Sequence, residues 1–106
     1  MLGVDIVKIS RFEKDYLSLA KRLFSLRELE ELNLKRTEKE KVEYVAGRFA
    51  SKEAFIKAKG EKNISFKEIE ILSDSLGKPH IYYNNIEVGE VSISHDEYLV
   101  SVVLLK

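Results

Sequence analysis

The sequence predicts an α+β fold: an N-terminal strand, three helices of which one is long, and then an antiparallel sheet. Two observations predict it. A Ser or Thr stands three residues ahead of a Glu at Ser10–Glu13, Ser25–Glu28 and Thr37–Glu40, a pairing that can satisfy two free N–H groups at a helix start reciprocally. Beyond Gly60 the period changes, and β-branched runs alternate with turns rich in Gly, Pro, Asn and Asp. Strand first, helices next and strands last imply segregated elements rather than parallel β/α units.

Leu2 to Ile9, rich in Val, Ile and Leu, is expected to be a buried strand. Its alternation sets Val4 and Ile6 on one face and Gly3, Asp5 and Val7 on the other. Asp is disfavoured in strands, so Asp5 either occupies an exposed edge or is an acid in an apolar setting. Ser10 is expected to cap a helix running to about Arg22, with Phe12, Tyr16, Leu19, Ala20 and Leu23 inward. Arg11, Lys14, Lys21 and Arg22 then gather within roughly 100° of arc. They form either a solvated face or a surface complementary to an acidic protein. Ser25 opens a short helix carrying Leu29, Leu32 and Leu34. Lys35, Arg36, Lys39 and Lys41 cluster at the start of the next helix, as a polar loop or as an anion site at a helix N-terminus.

The long helix runs from Thr37 to Gly60, about 22 residues or roughly 33 Å, and Gly60 ends it as a residue free to turn left-handed. Projected at 100° per residue, Val42, Val45, Ala46, Phe49 and Ile56 form a stripe, with Glu53 near its middle and Lys57 on its flank. A carboxylate is rarely buried without a partner. Glu53 therefore faces an ion pair with Lys57, a metal ion or a polar cleft. After Gly60, Ser65–Glu68 reads as a turn entering a strand at Ile69 and Ile71, and Asp74–Gly77 as a turn. Pro79 begins a strand through Tyr83, and Asn84–Asn85 turns the chain. Val91–His95, Asp96–Glu97 and Tyr98–Leu105 form a closing hairpin. Its last strand is apolar on both faces, Val100, Val102 and Leu104 on one and Leu99, Val103 and Leu105 on the other, so both need cover. His95 at the turn, standing alone, reads as a surface residue.

Bulk properties narrow the classes. The length of 106 residues predicts one domain, residues 1–106, and 44% hydrophobic content suffices for a core. Zero formal net charge argues against a general nucleic-acid binder. With no cysteine and two distant histidines, disulfides, thiolate sites and a zinc cluster are not expected. Carboxylates remain as ligands for a hard cation such as Mg²⁺. Neither a signal peptide nor a run of membrane-spanning length is found, so a cytoplasmic protein without a membrane partner is expected. No repeat, Gly-rich phosphate loop or Ser/His/Asp triad can be read.

Several segments, taken together, carry a resemblance. They are Gly3-x-Asp5 with Arg11; Phe24-Ser25-x-x-Glu28; Gly47-Arg48-Phe49-Ala50-x-Lys52-Glu53-Ala54; Lys57-Ala58-x-Gly60; Gly77-x-Pro79; and Ser92-Ile93-Ser94-His95. In this order and spacing they resemble the bacterial holo-[acyl-carrier-protein] synthases, the small class of 4′-phosphopantetheinyl transferases. The resemblance implies that fold as a trimer with active sites between subunits. It also implies transfer of phosphopantetheine from coenzyme A to a serine of acyl carrier protein, releasing 3′,5′-ADP, in fatty acid biosynthesis. Its implied metal is Mg²⁺, held by Asp5 and Glu53. Lys57 matches the lysine approaching the pyrophosphate, and Gly60 the backbone that lets the cofactor come close. Arg48 and His95 match positions directed to coenzyme A from a neighbouring subunit. Lys39 and Lys41 are candidates for the 3′-phosphate, although Glu40 interrupts the cations the family carries there. Arg11, with Lys14, Lys21 and Arg22, corresponds to the basic surface on which the acidic carrier docks. The run Asn84–Gly89 is shorter than in many relatives, and Leu99 and Val100 stand where alanines are common. Apart from the resemblance, the residues also admit a non-catalytic α+β binding module or a basic-patch nucleic-acid binder.

Overall fold

The computed structural model describes residues 1–106. β1 (Leu2–Lys8) leads through a 3-10 turn (Ile9–Phe12) to α1 (Tyr16–Leu23), α2 (Leu26–Asn33) and α3 (Glu38–Lys59). A second 3-10 turn (Phe66–Glu68) precedes β2 (Ile69–Ser73), β3 (Pro79–Tyr83), β4 (Ile86–His95) and β5 (Tyr98–Leu105). The five strands form one antiparallel sheet in the order β1-β5-β4-β3-β2. This is the predicted α+β class, with three helices and the long one in its expected place.

Local signals explain most boundaries. Ser25 Oγ accepts from the Glu28 N–H at 3.3 Å and Glu28 Oε1 accepts from the Ser25 N–H at 3.0 Å. Thr37 and Glu40 repeat this exchange at 3.0 and 3.1 Å at the start of α3. Gly60, with φ of 72°, ends α3 in the left-handed region. Asn84 and Asn85, with φ of 52° and 67°, make the turn between β3 and β4, a conformation two-residue hairpin loops demand.

The expectation of one helix from Ser10 to Arg22 is corrected. Ile9 still donates to Glu97 O at 3.2 Å, so the chain is tied to the sheet's end immediately before Ser10. It then tightens into a 3-10 turn that puts Phe12 against Phe49, ring centroids 5.4 Å apart. Ser10 caps nothing, and α1 starts only at Tyr16. Arg11 and Lys14 therefore lie before α1, and the arc computed for one continuous helix does not apply to them.

α3 packs on β1 and β5 and joins two cores. Its first half meets α1 and α2 through Phe12, Ala20, Phe24, Leu32, Val42 and Val45. Its second half lies on the sheet over Ile69, Ile71, Ile81 and Val103. The buried side of α3 is only partly the predicted stripe, of which Val42, Val45 and Ala46 are buried. Small residues at Ala46, Ala50, Ala54 and Ala58, with Gly47 and Ser51, are buried, and Ser51 Oγ meets Ser101 Oγ of β5 at 2.8 Å. Tyr44, Arg48, Lys52 and Phe55 are buried on a further side. Phe49, Glu53 and Ile56 are only half-buried and Lys57 is exposed. Side-chain size misled the projection, because close helix–sheet packing uses small residues rather than large apolar ones. Likewise β1 is a sheet edge buried on one face only: Gly3 and Val7 point inward, while Val4 and Ile6 are exposed.

Candidate active site

Gly3 is what allows the site to form. A Cβ at residue 3 would stand 2.0 Å from the Ala54 carbonyl oxygen and 2.7 Å from the Ala58 nitrogen, so only glycine lets β1 lie this close to α3. Asp5, two residues on and on the same inward face, is thereby set beside the second half of the helix. Its Oδ1 accepts from Lys57 Nζ at 2.9 Å, and the same ammonium donates to Val4 O at 3.1 Å. Glu53 stands within Coulomb reach of both. Burial, then the neighbouring Asp5 carboxylate, push its carboxyl above the usual range, with Lys57 opposing. Of the alternatives left open for Glu53, the ion pair with Lys57 is not the one formed: Lys57 bonds Asp5, because the close strand presents both a carboxylate and a carbonyl to its ammonium.

Two carboxylates sharing one lysine leave a local excess of negative charge, and this donor set suits a hard cation. No three His, Asp or Glu side chains are arranged so that they alone could hold a metal ion. A cation at Asp5 and Glu53 would complete its shell from phosphate oxygens and water, the usual habit of Mg²⁺. At the end of α3, nothing lies within 4 Å of where a Gly60 side chain would begin, so backbone there is open to a ligand.

Arg48 and His95 meet elsewhere. Both line a cleft with Lys35, Tyr44, Gly77 and Pro79, and Asp5, Glu53 and Lys57 have no part in it. Arg48 and Glu53 are about 140° apart around α3 at 100° per residue. Arg48 is mostly committed inside the chain: Nε donates to Ile71 O at 3.1 Å, and Nη2 donates to Ser73 Oγ at 2.9 Å and Glu31 Oε1 at 3.4 Å. Its guanidinium also stacks on Tyr44, 4.0 Å from the ring centroid. Nη1 makes none of these bonds, and no buried side-chain nitrogen lacks a partner, so Nη1 is the atom left to the cleft. His95, at the end of β4, is exposed.

The remaining candidates are peripheral to both clusters. Lys39 is exposed and paired with Glu43 at 2.9 Å, while Lys41 is half-buried. Arg11, Lys14, Lys21 and Arg22 are exposed; Arg11 stacks its guanidinium over Phe12, 5.5 Å from the ring centroid.

The sequence assigned Glu28 only to the capping box of α2 and gave Lys52 no role. They form an ion pair at 2.6 Å, both completely buried. Lys52 Nζ also donates to Leu23 O at 3.0 Å and Phe66 O at 2.9 Å, and Glu28 Oε2 accepts from the Ile71 N–H at 2.9 Å. Burial pushes the carboxyl up and the ammonium down; three acceptors around one ammonium hold it charged. The pair ties α2, α3 and β2 together beneath Arg48. The available signal was Lys52 itself, a cation inside the most apolar stretch of the helix.

Comparison with known proteins agrees with this architecture. The model of the 4'-phosphopantetheinyl transferase superfamily matches residues 1–103. The holo-[acyl-carrier-protein] synthase of Staphylococcus saprophyticus is 42% identical, across 99% of this chain and 96% of that protein. Its counterpart from Staphylococcus aureus is 41% identical, across 99% and 93%. Among solved structures, a holo-(acyl-carrier-protein) synthase from Bacillus anthracis in complex with CoA (3',5'-ADP) superposes with a TM-score of 0.84 at 36% identity, covering 98% of this chain and 93% of that one. The Helicobacter pylori enzyme in complex with coenzyme A gives 0.81 at 30% identity, with both chains fully covered. Sequence and fold thus agree over almost every residue, and the chain belongs to the 4′-phosphopantetheinyl transferase superfamily, among the holo-[acyl-carrier-protein] synthases.

Proposed function

We propose that the protein transfers 4′-phosphopantetheine from coenzyme A to a serine hydroxyl of an apo acyl carrier protein, releasing 3′,5′-ADP, and so supplies holo carrier for fatty acid biosynthesis. The observation that carries this reading is the convergence of Asp5, Glu53 and Lys57 across the close contact that Gly3 permits. In the transfer, the serine Oγ–phosphorus bond forms and the phosphorus–oxygen bond to 3′,5′-ADP breaks. Asp5 and Glu53 hold Mg²⁺, which when bound offsets their charge and the charge developing on the leaving group. Lys57, already aimed by Val4 O and Asp5, supplies a further point charge to the pyrophosphate. The serine proton passes to a base beside the attacking oxygen: Asp5, Glu53 or a water molecule.

The adenosine end of coenzyme A lies along the Arg48–His95 cleft of a neighbouring subunit, and Gly60 lets the cofactor approach the helix end. Lys41 and, once released from Glu43, Lys39 meet the 3′-phosphate. Two observations support a trimer with sites between subunits. The acid cluster and the Arg48–His95 cleft are separate within one chain. The outer face of β1 and β5 also carries the cross-strand pairs Leu2–Leu104, Val4–Val102 and Ile6–Val100, most of them exposed, a large apolar area that needs a partner. Arg11, Lys14, Lys21 and Arg22 receive the acidic carrier protein. Residues 1–106 act as one domain in the cytoplasm, with neither nucleic acid nor membrane as partner; no helix is long and apolar enough to cross a membrane.

Incubation with coenzyme A, Mg²⁺ and apo carrier protein, followed by intact-mass measurement of the carrier, tests this reading. Gain of the phosphopantetheine mass by wild type, and none by Asp5→Ala, is expected. An unmodified carrier would overturn it.

A further inference from the structure

His80, half-buried on β3, belongs to none of the motifs above, yet both of its ring nitrogens face carboxylates. Its Nε2 lies 2.9 Å from Asp74 Oδ2 and its Nδ1 lies 2.8 Å from Glu87 Oε2. Carboxylate oxygens only accept, so both contacts are hydrogen bonds only when both ring nitrogens carry protons. Asp74 in turn shapes the turn between β2 and β3. Its Oδ1 accepts from the N–H groups of Leu76 at 2.9 Å and Lys78 at 3.0 Å, and its backbone pairs with Lys78 and Gly77. That turn gives Gly77 and Pro79 to the cleft containing Arg48 and His95. Glu87 anchors the other end on β4. Imidazolium at residue 80 therefore clamps the cleft's wall to the sheet.

We propose that His80 is a positioning residue for coenzyme A: doubly hydrogen-bonded between Asp74 and Glu87, it fixes the Asp74–Pro79 turn that walls the cofactor cleft, and it does so only while protonated. This rests on the reading that coenzyme A occupies that cleft. The charged groups around the ring are Asp74 and Lys78 from the turn, Glu87 and Glu90 from β4, and Lys106 at the C-terminus. The two carboxylates in direct contact outweigh the more distant cations. The Asp74 hydrogen bond first, then that to Glu87, hold the imidazole above its ordinary range, which extends the clamp towards higher pH. Deprotonation replaces one N–H···O contact with two facing lone pairs and frees the turn from one anchor.

Arg is the conservative replacement, since guanidinium can donate to both carboxylates at any pH. Gln can satisfy only one of them through its amide group. Coenzyme A affinity, measured by titration calorimetry from about pH 6 to about pH 9, separates the alternatives. Wild type is expected to weaken with rising pH by about threefold to tenfold more than His80→Arg, the net worth of one ordinary hydrogen bond. His80→Gln should bind weakly at every pH, with KM for coenzyme A raised and kcat nearly unchanged. The rest of the cleft, His95 included, is the same in all three proteins and cancels in the comparison. Superimposable pH profiles for wild type and His80→Arg, or wild-type affinity in His80→Gln, would overturn this proposal while leaving the transferase reading intact. Absence of any coenzyme A binding by wild type would overturn both.

Discussion

Gly3→Ala probes the contact on which the acid cluster depends. The added Cβ would meet the Ala54 carbonyl oxygen at 2.0 Å, against 3.4 Å for an ordinary contact. Both obstructing atoms are helix backbone, and α3 is fixed by the fully buried Ala54 and Phe55 beside them. Relief must come from β1, which has to withdraw from α3 by about 1 Å or more. Asp5 moves with it, and the two bonds that Lys57 makes to Asp5 Oδ1 and Val4 O, at 2.9 and 3.1 Å, cannot both survive. Overpacking of this kind costs about 1–3 kcal/mol, lowering Tm by about 5–20 °C in a chain this size. Misplacing a catalytic group by about 1 Å costs about a hundredfold in rate. Carrier modification followed by intact mass, well below the variant's melting point, should show that loss in kcat/KM. Val7→Ala is the control: Val7 is buried on the same face, and its truncation costs about 2 kcal/mol without moving Asp5, so kcat/KM should hold. Wild-type kcat/KM in Gly3→Ala, or an equal loss in Val7→Ala, would refute the argument.

Glu53→Gln should melt higher than wild type near pH 7.5 in the absence of divalent cation, while transferring nothing. The folded state raises the proton affinity of Glu53, so its ionisation destabilises the fold. That penalty is absent below the unfolded pKa of about 4.3 and complete only above the raised folded value, so the difference should vanish near pH 4; a variant less stable than wild type at pH 7.5 would contradict this. Mg²⁺ should raise the Tm of wild type but not of this variant. Lys52→Met leaves Glu28 charged, buried and unpaired, and should cost about 3–5 kcal/mol in urea unfolding. Adding Glu28→Gln should restore more than half, because the amide oxygen still accepts from a backbone N–H; a loss below about 1 kcal/mol in the single variant would discount the pair. Ile6→Lys, on the exposed apolar face of β1, should shift the assembly towards monomer in light scattering, and an unchanged mass would place the interface elsewhere.

Local chemistry was legible in the sequence wherever a signal and its effect lie within one turn. The caps at Ser25 and Thr37, the left-handed Gly60 and the Asn84–Asn85 hairpin all follow from residue type alone. Ser10 fails by the same standard: its capping signal is overruled by the bond from Ile9 to Glu97, a partner far along the chain. The amphipathic projection of α3 finds Val42, Val45 and Ala46 but misses the rest of the buried side because it scores size, whereas the sheet demands alanines at Ala50, Ala54 and Ala58. Glu53 drew attention as the centre of a stripe that is buried at Val42, Val45 and Ala46 but only half-buried around Glu53 itself, at Phe49 and Ile56, and its setting beside Asp5 is unusual. Glu28 and Lys52 show the limit most clearly. Each is locally ordinary, one in a capping box and one on a helix, and only the tertiary fold brings them within 2.6 Å.

The separation of the acid cluster from the Arg48–His95 cleft has a consequence that a single-chain active site would not share. If each site takes Asp5, Glu53 and Lys57 from one subunit and the cleft from the next, a closed ring repeats one heterologous contact at every boundary. Damage to the two halves then becomes separable. Glu53→Gln ruins one half; His95→Ala, at an exposed residue whose loss spares the fold, ruins the other. Each pure variant presents a defect at every boundary. In rings refolded from an equal mixture, about one boundary in four joins the intact acid cluster of a His95→Ala subunit to the intact cleft of a Glu53→Gln subunit. The mixture should therefore regain about a quarter of wild-type activity per site, well above the mean of its parents. Mixed rings no more active than that mean, with subunit exchange verified by mass, would place both clusters in the same chain's site and refute the shared architecture.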